Sequence, residues 1–263
     1  MFGTYIGNNK MLVKLAYNGM LNISSEDLSL MPSLVTTGII EAPLTKFFIN
    51  QIKPGNIVID IGTNVGYFTI LAAKLVGTQG KVFGFEANPE VFELLKDNIS
   101  MNWLSEQTKL YNIAIYSKNK NLTFHSSDRF HGDSSINIRP EDENRTDPYT
   151  LLNIKANTLD NQFQHLKQID LIKIDIEGGE YHAFLGMMEL IKQHKINQIV
   201  FEWNKIMLGT DCDDFVALLN KIKEKYNGMY YLLDSEGNPV PTTLDAITPV
   251  DFYPFVLLKF STR

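Results

Sequence analysis

Cysteine is almost missing from this chain: Cys212 is the only one in 263 residues. No intrachain disulfide and no multi-thiolate metal site can form, and a reducing compartment fits best. No apolar run reaches the roughly 18 residues of a membrane span. The opening MFGTYIGNNKMLVKLAYNG lacks the basic start and apolar core of a secretory leader. The expectation is a soluble, cytoplasmic protein. Positive charge is short as well, with 24 Lys and Arg against 30 Asp and Glu, a formal net charge of -6. With no basic stretch to track phosphates, a nucleic-acid partner is not expected. What remains is ordinary for a globular chain: 44% hydrophobic and 21% charged residues support a buried core and exclude general disorder.

From Ile57 onward, short β-rich runs alternate with amphipathic stretches, the pattern of a parallel sheet covered on both faces. Five strands are expected at Ile57 to Ile61, Lys81 to Glu86, Lys109 to Ile115, Asp170 to Asp175 and Ile196 to Glu202. Phe92, Leu94, Leu95 and Ile99 form one helical stripe behind Pro89, and Phe184, Leu185, Met188 and Ile191 form another. Upstream, Leu44, Phe47, Phe48 and Gln51 predict a covering helix that stops at Lys53-Pro54-Gly55-Asn56. Downstream, Met229 to Asp234 and Phe252 to Lys259 read as two more strands, and a sheet ending this way usually has an antiparallel member. The expected fold is therefore α/β, a three-layer sandwich around seven mostly parallel strands with the last antiparallel. His125 to Thr150 breaks the rhythm. It is polar and turn-rich through Arg139-Pro140-Glu141-Asp142-Glu143-Asn144, and reads either as a lid over the site or as a disordered loop.

The most informative stretch is Val58-Ile59-Asp60-Ile61-Gly62-Thr63-Asn64-Val65-Gly66, a strand entering a tight turn before a helix. Gly62 allows a ligand near the main chain, Gly66 allows close helix packing, and exposed N–H groups beside a helix N-terminus would favour a carboxylate or phosphate. Glu86 ends the next strand, where a carboxylate can accept from both hydroxyls of an adenosine ribose. Helix capping and plain turns are the bland alternative. Nicotinamide binding uses the same architecture, but its fingerprint is G-x-G-x-x-G, whereas here the turn reads Gly62-Thr63-Asn64-Val65-Gly66. Asp60 before the turn suits an ammonium group, which a methionine moiety has and a pyrophosphate lacks.

The run DIGTNVGYFTILAAKLVGTQGKVFGFEANPEVFELLKDN, then NIAIY, TLD and DLIKIDIEGGEYHAFLG, resembles the FkbM family of methyltransferases over about Gly38 to Trp203. The departures are small, Thr63 where Ala is common and Ala87 where Pro is usual. The resemblance implies a class I (Rossmann-like) methyltransferase fold, with S-adenosylmethionine bound at Asp60, Gly62, Thr63, Asn64 and Gly66, its ribose at Glu86 and its adenine near Asn112 to Ala114. It also implies O-methylation of a hydroxyl on a sugar, glycan or secondary metabolite. Residues 1–52 would form an N-terminal covering segment and helix, and 53–263 the methyltransferase domain with a lid-like insertion at about 125–150. A nicotinamide-dependent oxidoreductase and an inactive binding protein of the same fold are the alternatives.

Methyl transfer to a hydroxyl needs alignment of the acceptor and removal of its proton, by a general base or with help from a divalent metal. Asp175 and Glu202 end neighbouring strands, so both carboxylates should reach one rim, to orient the acceptor or share a cation. Equally, Asp175 could cap the next helix and Glu202 pair with Lys205. His131, beside a Gly132-Asp133-Ser134-Ser135 stretch resembling the family, is a candidate base, as are His125 and, more weakly, His182. Trp203 reads as pocket wall or as core.

Overall fold

The computed structural model describes residues 2–127, 130, 134–137 and 149–260. Three antiparallel strands open the chain, β1 (Gly3–Gly7), β2 (Lys10–Lys14) and β3 (Met20–Ser24), followed by α1 (Met31–Thr37) and α2 (Ala42–Gln51). Alternation then begins with β4 (Ile57–Ile61), α3 (Tyr67–Val76), β5 (Lys81–Phe85), α4 (Pro89–Met101) and β6 (Thr108–Tyr111). A side sheet interrupts it, made of β7 (Ala114–Ile115), β8 (Lys120–Ser126) and β9 (Thr150–Asn157). Next come α5 (Leu159–Phe163), β10 (Leu171–Ile174), α6 (Glu180–Leu185), α7 (Met188–Lys192), β11 (Gln198–Asn204), α8 (Lys205–Leu208) and α9 (Cys212–Tyr226). The chain closes with β12 (Gly228–Leu233), β13 (Pro239–Thr242), α10 (Leu244–Ile247) and β14 (Phe252–Phe260).

The central sheet runs β13-β12-β14-β11-β10-β4-β5-β6. Strands β11 through β6 are parallel, and β14 is antiparallel to both its neighbours. This is the expected α/β sandwich, with the seven expected strands and an eighth at the edge. That eighth strand, β13, carries Pro239 and Pro241, which an edge position tolerates. The expected strand Lys109 to Ile115 is split: β6 ends at Tyr111 and β7 belongs to the side sheet. Asn112 causes the break, because its side-chain amide donates to the carbonyls of Glu86 and Ala87 at 2.9 and 3.2 Å, replacing a backbone ladder with a side-chain one.

Alternation along the strands sorts the core onto two faces. Ile59, Ile61, Ile172, Ile174 and Phe201 pack against α6, α7 and α9, while Val58, Leu171, Val200 and Leu257 pack against α2, α3 and α4. The same period places Asp60, Lys173 and Glu202 on the second face, which decides where the charges meet. No described helix is long and apolar enough to cross a membrane.

Candidate active site

Strand order reverses between β4 and β10, and ligands of open α/β sheets lie beyond the carboxyl ends of strands at such a point. A cavity of about 370 Å³ opens there, within the range of small-molecule sites. Gly62, Thr63, Asn64, Glu86, Ala114, Asp175 and Glu202 all line it. Asp60, Gly66 and Asn112 do not reach the cavity and support those that do. His131 lies outside the described residues.

The turn after β4 requires its glycines. Gly62 has φ +80°, and a Cβ there would stand 1.8 Å from the backbone oxygen of Asp175. Gly66, at φ +98°, lets α3 close on Leu95 of α4. The expectation that this turn offers free N–H groups to an anion is corrected by the structure. Gly62 and Thr63 donate to the Phe85 carbonyl, Asn64 to the Glu86 carboxylate, Val65 to the Asn64 side chain and Gly66 to the Thr63 carbonyl. All five donors are used within the protein, because the neighbouring strand end supplies acceptors that local sequence does not reveal.

Glu86 is consequently a structural clasp as well as a wall. One oxygen accepts from Asn64 N–H and the other from Asn88 N–H, both at 2.8 Å, so the carboxylate is fixed between two loops. Burial raises its pKa against the lowering effect of those bonds. Each oxygen retains a lone pair for a further donor. Asn88 also caps α4 by accepting from Glu90 N–H at 2.9 Å.

Asp60 is fully buried under the cavity rather than facing it. It accepts from Thr69 at 2.6 Å and lies 3.8 Å from Lys173, whose Nζ donates to Asp175 at 3.0 Å. Burial raises the Asp60 pKa, with Lys173 and Thr69 opposing. Lys173 and Glu41 are site residues that sequence reading missed. A lysine inside the apolar run Leu171–Ile174 was a usable signal; Glu41, the residue before α2, had none, since packing of α2 brings it to the wall.

Three carboxylates gather opposite Glu86. Asp175, Glu177 and Glu202 each present an oxygen within 4.8 Å of the others, close enough to share a cation. Burial, then the charge of Asp175, pushes the Glu202 pKa up to about 8, and the same two causes push Glu41 to about 7. Asn204 donates to Glu202 at 3.2 Å; pairing of Glu202 with Lys205 is not seen. The loop from Asp175 into α6 is tied by buried Glu180, which accepts from Ile176 and Gly178 N–H at 3.1 and 2.9 Å. Glu86 and Glu202 stand three strands apart, about 14 Å at the usual strand spacing. His182 lies outside the cavity lining, stacked on Tyr116 and 3.2 Å from Asp211, and His125 pairs through its backbone with Ser135. Trp203 is core, fully buried with its indole N–H on the Val250 carbonyl.

The family model described as "Methyltransferase FkbM domain" matches residues 60–228. Methyltransferase sdnD of Sordaria araneosa is 24% identical over 173 residues, 56% of this chain and 66% of that protein. Hexuronic acid methyltransferase AglP of Haloferax volcanii is 23% identical over 188 residues, 70% of this chain and 69% of that protein. The chain thus spans about two thirds of the length of these relatives. Among solved structures, the O-methyltransferase from Bacillus cereus is 14% identical, with 85% of this chain and 83% of that chain covered at a TM-score of 0.46.

Proposed function

The chain belongs to the FkbM methyltransferase family, and from that premise we propose that it binds S-adenosylmethionine at the Gly62 and Glu86 end of the cavity and methylates a hydroxyl at the Asp175 and Glu202 end. The observation that carries this reading is the fixed, buried carboxylate of Glu86 beside a turn whose N–H groups are already used. A ribose diol needs such an acceptor, whereas the pyrophosphate of a nicotinamide dinucleotide needs free donors. The residues therefore suit an adenosyl sulfonium, and the cavity volume suits its size. Ala114, with Ile113, would flank the adenine.

Bound there, S-adenosylmethionine supplies a methyl carbon on a sulfonium leaving group. The chain's own work is alignment, exclusion of water and removal of a proton. Glu202 suits the last of these, since as a carboxylate it can take the proton of an acceptor hydroxyl onto a side-chain oxygen, and a pKa near neutrality is the useful range for a base.

Calorimetry with S-adenosylmethionine should show binding to the wild-type protein and at least a hundredfold loss in Glu86→Ala; equal affinity in the two would remove the site assignment. Turnover to S-adenosylhomocysteine, measured with a panel of sugars, should rise with pH through about 8 and level off above it. The sign follows because Glu202 acts deprotonated. In Glu202→Gln it should fall by roughly 10²–10⁴ and lose that limb. Activity abolished by EDTA and restored by Mg²⁺ would instead give the proton's release to a cation held by the same carboxylates.

A further inference from the structure

The walls of the cavity have two origins. Gly62 to Val65, Glu86 and Ala114 come from the stretch 60–228 that matches the family. Leu30, Glu41 and Leu44 precede that stretch, and Phe252, Pro254 and Phe255 follow it. β14, which carries the last three, pairs with β11, so they border the Glu202 end rather than the Glu86 end.

Glu41 is the charged member of these outer walls. It holds a left-handed φ of 44°, disfavoured for a residue with a Cβ. Its neighbours keep it there: Thr45 donates its hydroxyl to the Ile40 carbonyl at 2.8 Å and its N–H to the Glu41 carbonyl at 2.9 Å, and Thr45 and Ile40 are buried. The Glu41 carboxylate accepts no hydrogen bond from any described residue. Its charge is felt by Lys173 and Glu202, and it feels Asp175 and Asp60. Among the described residues lining the cavity, Lys173 is the one lysine or arginine, and Asp175 and Asp60 already engage it.

We propose that Glu41 is a specificity-determining residue of the acceptor end, and that this end takes an uncharged hydroxyl compound while rejecting a carboxylate of the same shape. Hydroxyls donate to Glu41, Asp175 and Glu202; an arriving carboxylate adds a fourth acidic group to these three and has no spare cation to pair with among the described residues. The apolar walls Leu30 and Phe255 offer no polar group that would compensate the added charge. The inference rests on the donor reading above, under which the acceptor lies beside Asp175 and Glu202.

The test uses S-adenosylhomocysteine-loaded protein and an equimolar mixture of glucuronamide and glucuronate, equal in shape and different in charge. Saturation-transfer NMR should give glucuronamide at least threefold the signal of glucuronate, and Glu41→Gln should reduce that ratio toward one. Equal or greater glucuronate signal, silence from both sugars, or an unchanged ratio in the variant overturns the proposal. Titration with S-adenosylhomocysteine comes first: a wild-type protein that binds none overturns the donor reading and this inference with it, whereas binding followed by failure with the sugars overturns this inference alone.

Discussion

Lys173 occupies the middle of an apolar strand with 3% of its surface exposed. Burial works against its charge, but Asp175, Asp60 and Glu41 outweigh it and hold the ammonium protonated above the ordinary lysine range. Asp60 depends on the same contact, having no exposure and one oxygen without a hydrogen-bond partner. Breaking a buried pair by removing one member costs about 3–5 kcal/mol, because the other charge is left uncompensated. Lys173→Met should therefore lower the unfolding free energy by about that amount in urea titration, and adding Asp60→Asn should recover part of it. A single-variant loss below about 1 kcal/mol would show that the pair does not hold this floor together.

At the level of elements, α4 joins the opening strands to the Gly62–Gly66 turn. Asn98 and Asn102 lie one helical turn apart on one face. The Asn98 side chain exchanges hydrogen bonds with the backbone of Asn22 at 2.7 and 2.8 Å and donates to the Val65 carbonyl at 2.8 Å, while Asn102 pairs likewise with Met20 at 2.9 and 2.6 Å. Two amides thus imitate a neighbouring strand and cover the open edge of β3, which would otherwise present unpaired groups. Asn98→Ala leaves buried donors and acceptors unmade, at about 1–3 kcal/mol for each group. Hydrogen exchange should show the Asn22 amide losing protection while the amides of β10 keep theirs. An Asn22 amide that stays equally slow would mean that water or a neighbour replaces the side chain.

Across the whole molecule, legibility followed how local each cause was. The strands of the central sheet announced themselves because burial on both faces demands unbroken Val, Ile and Phe, and the position of Glu86 and Gly62 at the cavity wall could be read because one turn and one strand end set it. The opening meander was missed although Asn8 and Asn9, both at positive φ, mark its hairpin. β8 and β9 mix polar and apolar residues, and their pairing joins residues up to 36 apart, Lys120 with Ala156, which no short window reveals. Glu41 escaped because only the docking of α2 sets it against Lys173, and the turn's N–H groups were misjudged because their acceptors sit on another strand.

The last rung of the β8–β9 ladder sets Ser126 opposite Thr150, so the intervening chain leaves and re-enters at one doorway. The central sheet is thereby insulated from the length of that excursion: doubling it adds only about 0.6 kcal/mol of closure entropy. Insertions or deletions between Ser126 and Thr150 should therefore leave the central sheet and the Gly62–Gly66 turn in place.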